Sequence, residues 1–328
     1  MEDVLQYSPF LVGERPFCVW EWNLRQRNRD FLDSFDPSYF QYTARVHANE
    51  LDGEHAQQAA LSLRLTYSHA MEAFFSLVFA SLQAPGCIFG WLDKYKEDDL
   101  RQLVESVRLC GPIRSTVRLE QVTWPGISAA LHRYLELEDK AKETRIKEAY
   151  AQLWAWLAWD FQNPLVHREY NCIKHGMRVA KGGFHLSASI ESTPGVPAAP
   201  EDMGSLGGSV FGTSCYLGEK IGSDKVNVRL ARHARNWLPR SLLVAVDLMT
   251  ESMKNIVSFL KVLNGAAATT VQFSWPSDLG VFDGAYVVPL VNDLRMDRVL
   301  DVSHIKPVTA ERIVEEYERR TQSPPKEV

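Results

Sequence analysis

Residues 54–86, EHAQQAALSLRLTYSHAMEAFFSLVFASLQAPG, decide the fold class. Within them Leu61, Leu65, Ala70, Met71, Phe74, Phe75, Val78, Phe79 and Leu82 recur at intervals of three and four, the period of a helix with an apolar face. Pro85 and Gly86 end it, since proline offers no amide hydrogen to a continuing helix and glycine readily takes the conformations found just past one. The stripe is wide, as suits a helix packed on several neighbours in a bundle. Further helices are expected over residues 97–109, after an acidic first turn, over 126–137, and over 144–161, where Leu153, Trp154, Leu157 and Phe161 share a side. Another is expected over 239–263, where Leu242, Leu243, Val246, Met249, Met253, Ile256, Val257 and Leu260 keep helical spacing and complete the bundle.

The texture differs at both flanks. Residues 1–37 read as irregular and aromatic-rich, with Trp20, Trp22 and Phe31, and residues 38–48 as a strand, because Tyr39, Gln41, Thr43, Arg45 and His47 alternate with Phe40, Tyr42, Ala44 and Val46. Strands are expected at 182–190, 209–217, 226–230, 269–275 and 285–291, with a Pro/Gly/Ser-rich loop over 192–208 and a charged helix over 309–320. The expected class is α+β: a predominantly helical antiparallel bundle with β-strand elaborations. Its expected parts are an N-terminal segment over 1–53, the bundle over 54–178, a β-rich insertion over 179–238, the completing helix over 239–264, and C-terminal strands and helix over 265–328.

Composition narrows the function classes. The 328 residues carry a formal charge of −5 and 45% hydrophobic content, and the mean hydropathy is −0.21. Such a chain buries a core and is not a uniformly basic nucleic-acid sink, although a local basic patch is compatible with it. Cys18, Cys87, Cys110, Cys172 and Cys215 form no Cys-x-x-Cys pair and are odd in number, so neither a disulfide framework nor a zinc site is expected. The acidic start and the absence of an uninterrupted apolar span point to a cytoplasmic protein without a membrane segment. No Walker A loop, Gly-x-Ser-x-Gly elbow, His-Glu-x-x-His or dinucleotide fingerprint is present, and Asp278 to Gly284 lacks the ligand pattern of an EF-hand, so neither cofactor nor metal is expected.

Chemistry-bearing residues gather at Asn163-Pro164-Leu165-Val166-His167-Arg168-Glu169-Tyr170-Asn171-Cys172-Ile173-Lys174-His175-Gly176-Met177-Arg178. Asn163 caps a helix, Pro164 fits its first turn and Gly176 stops it. At about 100° per residue, Asn171 lies about 60° and His175 about 20° from Arg168, so guanidinium, carboxamide and imidazole share a face while Lys174 lies off it. Four Arg–His pairs are separated by four to six residues: Arg64 with His69, Arg168 with His175, Arg178 with His185, and Arg298 with His304. The second stands on a capped helix that follows several bundle helices, and it carries Asn171-Cys172-Ile173-Lys174-His175-Gly176.

In that spacing and context the chain resembles the HEPN family of helical domains, whose signature is an arginine and a histidine four to six residues apart on a late bundle helix. Here Glu169 follows the arginine, where the family commonly has Asn, Asp or His. The resemblance implies metal-independent RNA cleavage in which a ribose 2′-hydroxyl attacks the adjacent phosphate. His175 would be the acid or base, Arg168 would hold the phosphate and Asn171 would orient one of them. It further implies a homodimer through the motif helix and RNA passing over Lys174, Arg178, Arg229, Arg232 and Arg235, as in bacterial toxin and antiviral-defence proteins.

The residues equally allow a non-catalytic module that binds RNA, a nucleotide or a protein partner, such as the sensor or inhibitor subunit of a defence system. Arg168 would then be structural, paired with Glu72 or set against His69 within the bundle. In that reading the cations from Lys225 to Arg240 are a solvated strand edge, Trp154, Trp156 and Trp159 are core or interface residues, and Cys172 is an inert thiol.

Overall fold

The computed structural model describes residues 5–176, 178–191, 193–222, 226–296 and 305–322. Lys225 and the Arg298–His304 pair lie outside them. The architecture is α+β and divides into two compact units, one formed by 1–174 with 237–288 and the other by 175–236 with 289–328. The N-terminal segment therefore belongs with the first, helical unit. The stretch expected as one C-terminal part is shared between the units near residue 288.

The helical unit begins with an antiparallel hairpin, β1 (Leu5–Val12) and β2 (Arg15–Trp22), followed by α1 (Leu24–Ser34), where the sequence had suggested irregular chain. Gly13, at φ 61°, supplies the left-handed first position of the two-residue turn. Gln83, at the end of α3 (Ala56–Gln83), fixes this turn: its Oε1 accepts from Gly13 N at 3.0 Å and its Nε2 donates to Gly13 O at 3.0 Å. Phe10 and Val12 are buried beneath the hairpin.

Residues 38–48, expected as a strand, form α2 (Ser38–Ala48). Their aromatic content favours a strand locally, but Pro37 and Ala44, seven positions apart, are the buried residues, and that is two helical turns against α3 and α9 (Pro239–Leu263). The chain continues through α4 (Ile88–Lys94), unforeseen in the sequence, α5 (Glu97–Arg108), α6 (Trp124–Leu131), α7 (Lys140–Gln162) and α8 (Pro164–Lys174). Caps set several starts. Thr123 Oγ1 accepts from Gly126 N at 3.2 Å, Asp139 Oδ1 from Lys142 N at 2.9 Å, and Asn163 Oδ1 from Leu165 N at 2.9 Å. α3 is buried nearly all round, and α9, whose span matches the expectation, packs along it.

Residues 269–275 form no strand. A 3₁₀ turn at Ala268–Thr270 leads into extended chain whose polar groups are satisfied by side chains. Ser258 Oγ donates to Gln272 O at 2.5 Å, Asn255 Nδ2 and Tyr150 Oη each donate to Ser274 O at 2.8 Å, and Ser274 N donates to Asn255 Oδ1 at 2.7 Å. The strand expected over 285–291 is also absent. A single helical turn, α10 (Val281–Ala285), precedes it, and the strand lies further on.

The second unit holds β3 (Ala180–Lys181), β4 (His185–Ala188), β5 (Gly204–Gly208), β6 (Gly212–Lys220), β7 (Val228–Asn236), β8 (Asp293–Arg295) and α11 (Ala310–Gln322). β3, β6, β7 and β8 form an antiparallel sheet in that order, while β4 pairs with β5. Asn236 ties it together: its carboxamide bonds both Phe184 N (2.9 Å) and Phe184 O (2.8 Å), and also Val291 O at 2.9 Å.

Candidate functional site

α8 stands at the centre of two polar groupings in the helical unit. The first is buried. Arg64 Nε and Nη2 donate to Glu169 Oε2 at 3.1 and 2.9 Å, and Trp237 Nε1 donates to Glu169 Oε1 at 3.0 Å. Tyr67 Oη donates to Asp160 Oδ2 at 2.8 Å, which lies 3.9 Å from Arg64 Nη1. Burial alone would push the Arg64 guanidinium toward losing its proton, and the carboxylates of Glu169 and Asp160 more than offset this, so its pKa is raised. Glu169, the departure from the family pattern, is thus a buried partner of Arg64.

The second grouping reaches the surface between α3, α5 and α8. His167 Nδ1 lies 2.7 Å from Glu97 Oε1, and His167 Nε2 lies 3.0 Å from Asn171 Nδ2. Arg101 braces the carboxylate, donating from Nε to Glu97 Oε1 at 3.1 Å and from Nη1 to Phe161 O at 2.7 Å. The contact with His167, reinforced by Arg101, holds the Glu97 carboxyl down to about 2 despite partial burial. Beside it Glu72 accepts from Tyr170 Oη at 3.2 Å and Tyr95 Oη at 3.4 Å. Burial, with Glu72 adding to it, raises both phenols, Tyr95 to about 12. The Tyr170 ring meets His69 edge-on at 5.5 Å and carries the Lys174 ammonium 5.2 Å from its centroid. Burial lowers the His69 imidazole.

The expected residues are thus distributed. Glu72, His69 and Lys174 meet around Tyr170, and Asn171 meets His167. Arg168 is exposed and does not pair with Glu72, whose oxygens are taken by the two tyrosines, so the expectation of an Arg168–Glu72 pair is corrected. α8 ends at Lys174, one residue before His175; Gly176 follows at φ 108°. His175 and Arg178 are exposed and belong to the second unit. In β7, Arg229 and Arg235 face one side of the sheet and Arg232 the other, because they stand six and three positions apart on a strand of period two. β8 pairs with residues 233–235 of β7, so Arg235 stands between two strands, whereas Arg229 pairs only with Glu219 of β6. Arg232 Nη2 donates to Ser214 Oγ at 3.1 Å and Arg235 Nε lies 3.6 Å from Asp293.

His167, Glu97, Arg101, Tyr95 and Tyr170 were not foreseen as site residues. The i, i+4 pairs His167–Asn171 and Tyr170–Lys174 were available in the sequence, whereas Glu97 reaches them only through the packing of α5. The cavity enclosed by Met71, Glu72, Glu97, Phe161, His167 and Tyr170 has about 10 Å³, room for one water at most. A wider cleft of about 440 Å³ opens by Arg118 and Arg133, but Arg133 is spent on Ala130 O, Arg118 O and the Phe259 ring. Among the described residues no group of three or more His, Cys, Asp and Glu could hold a metal, and no helix is long and apolar enough to cross a membrane. Comparison with protein-family models, curated proteins and solved structures gives no match.

Proposed function

We propose that the protein cleaves RNA without a metal, in the manner of a HEPN-like bundle, with His167 as its proton-transfer group. The observation that carries this reading is the partly exposed imidazole fixed between Glu97 at 2.7 Å and Asn171 at 3.0 Å, on the helix face that also presents Lys174. Glu97 favours the proton on Nδ1 and so keeps Nε2 as the accepting atom. Asn171 holds Nε2 in the free protein and yields it to a ribose 2′-hydroxyl. That hydroxyl passes its proton to Nε2 while its oxygen bonds to the adjacent phosphorus. The bond to the 5′-oxygen breaks, Lys174 gives that oxygen a proton, and the products are a 2′,3′-cyclic phosphate and a 5′-hydroxyl. Arg168, exposed on the same helix, holds a neighbouring phosphate.

The test is cleavage of mixed-sequence RNA in chelator, with end-group analysis, by wild type and by the His167→Ala, Asn171→Ala, Lys174→Ala, Arg168→Ala and His175→Ala variants. His167→Ala is expected to lose about 10²- to 10⁴-fold. Cleavage that survives in His167→Ala but not in His175→Ala would move the chemistry to the arginine–histidine pair of the family. No cleavage by wild type would reject the nuclease. One observation favours a second reading, a non-catalytic RNA-binding or protein-binding module: the cavity beside His167 is too small for a base or sugar, so any ligand lies across the surface. RNA retention without cleavage, reduced by Lys174→Ala and Arg168→Ala, would establish it.

A further inference from the structure

The hairpin β1–β2 has two unlike faces. Gln6, Ser8, Phe10 and Val12 of one strand and Arg15, Phe17, Val19 and Glu21 of the other share the inner face, in line with the packing of β1 and β2 on α1 and of β1 on α3 and α4. The outer face consists of Leu5, Tyr7, Pro9 and Leu11 opposite Trp22, Trp20, Cys18 and Pro16. None of these eight side chains is charged, and Leu5, Tyr7, Trp20 and Trp22 are 48%, 61%, 63% and 51% exposed. Tyr7 and Trp20 pack on each other across the strands at 5.0 Å, so the aromatic surface is a continuous one. At the turn end it runs into a cleft of about 310 Å³ lined by Pro9, Leu11 and Pro16 together with Gln83, Arg114 and Thr116. A contiguous apolar patch of this kind is often a functional surface.

We propose that this face is the interface of a homodimer, two hairpins stacking outer face to outer face about a two-fold axis. Charge and area select a second copy as the occupant. A nucleic acid needs cations for its phosphates; the eight side chains have none, and Arg114 in the adjoining cleft is paired with Glu14 at 2.8 Å. The face also bears no charge that would meet its own image, so self-association carries no repulsion. A half-exposed aromatic side chain offers ~100 Å², so the eight positions offer ~500 Å² per copy and ~1,000 Å² for the pair, the lower bound for a specific interface. Stacking two sheet faces at about 10 Å is an ordinary mode of sheet packing. The dimer is independent of the nuclease reading and lies away from α8, the helix through which the family resemblance would place one. Cys18, in the middle of the face, is an exposed thiol and would approach its counterpart across the axis.

Sedimentation velocity on the full chain over about 1 to 100 µM tests this, with wild type, Trp20→Glu, Trp22→Glu and Tyr39→Glu. Tyr39 is exposed on α2 and serves as the aromatic control. The expected result is a dimer for wild type and Tyr39→Glu and a monomer for both hairpin variants, all with unchanged circular dichroism. A short bis-maleimide on a Cys110→Ser background should join two chains through Cys18, and Cys18→Ser should abolish the product. A monomeric wild type, or a dimer that both tryptophan variants leave intact, overturns the proposal. So does binding of the monomeric chain to vesicles or RNA that Trp20→Glu abolishes, which would assign the face to that ligand.

Discussion

Acidification from pH 7 to 4.5 should weaken the helical unit through one buried side chain, His132. Its Nδ1 faces Ser128 O at 2.9 Å, its Nε2 faces Asn255 Nδ2 at 3.3 Å, and its ring stacks on Tyr150 and Trp154 at 5.0 and 5.6 Å. Burial lowers its pKa from 6.5 to about 4, the Ser128 carbonyl opposing only in part. Because the folded value is the lower one, the unfolded chain binds the proton more readily. The stabilising contribution is complete above pH 6.5 and is lost as the pH falls toward 4. At about 1.4 kcal/mol per pKa unit, the full loss is about 3 kcal/mol, a large share of the stability of an ordinary domain. The carboxylates of Glu97 and Glu143, both held down to about 2, lose their contributions below pH 4.5, outside this window. The assay is urea unfolding at pH 7.5, 6.5, 5.5 and 4.5 followed by tryptophan fluorescence. All nine tryptophans lie in the helical unit, so the signal reports that unit alone. Wild type should lose stability steeply through the window. His132→Gln should be weaker at pH 7.5 but flatter below it, and the difference between the two curves isolates His132 from His69 and His47, which burial also lowers. Parallel curves, or an NMR titration placing the His132 midpoint near 6.5, would refute the reasoning.

Glu169→Ala should destabilise the helical unit by about 3 kcal/mol, because it leaves the buried Arg64 guanidinium only the more distant Asp160 at 3.9 Å, and the loss should appear in the tryptophan-monitored urea midpoint. Arg168→Ala, at the neighbouring exposed position, should change the same midpoint by no more than about 0.5 kcal/mol. Asn236→Ala removes the bonds to both backbone polar groups of Phe184 and to Val291 O, and should cost the second unit about 1–3 kcal/mol. Hydrogen exchange should register this as faster exchange in β6 and β7, with α3 unchanged. Glu97→Gln should release His167, read as changed imidazole ¹⁵N chemical shifts at pH 7.5 by NMR, with circular dichroism unaltered.

The helices were legible where a single rule governed them. α9 could be read from end to end because Pro239 opens it and one unbroken stripe faces α3. α2 could not, since its aromatic residues fit a pleated surface as well as a helix and only contact with α3 and α9 decides between them. The run 269–275 had the composition of a strand, but Asn255, Ser258 and Tyr150, distant in sequence, take the hydrogen bonds that a partner strand would have taken. At the site, local spacing revealed that α8 is a capped helix rich in hydrogen-bonding groups. Which of those groups face each other depends on α3 and α5. Glu72 was recognisable as a carboxylate in an apolar run, yet its partners are Tyr95, which caps the end of α4, and Tyr170 of α8, which no spacing rule supplies.

The order in which the chain visits its two units has a consequence for synthesis. Residues 1–174 leave the ribosome without α9, the helix that packs along α3, and residues 175–236 of the other unit must be made before α9 follows. At about 5–20 residues per second, the apolar flank of α3 waits several seconds for its cover. A chain cut short anywhere in 175–238 would present that flank permanently, so truncated products should be captured by chaperones and cleared. Each unit is also assembled from two stretches separated in sequence, so neither can close until the chain has been made past the stretch that interrupts it.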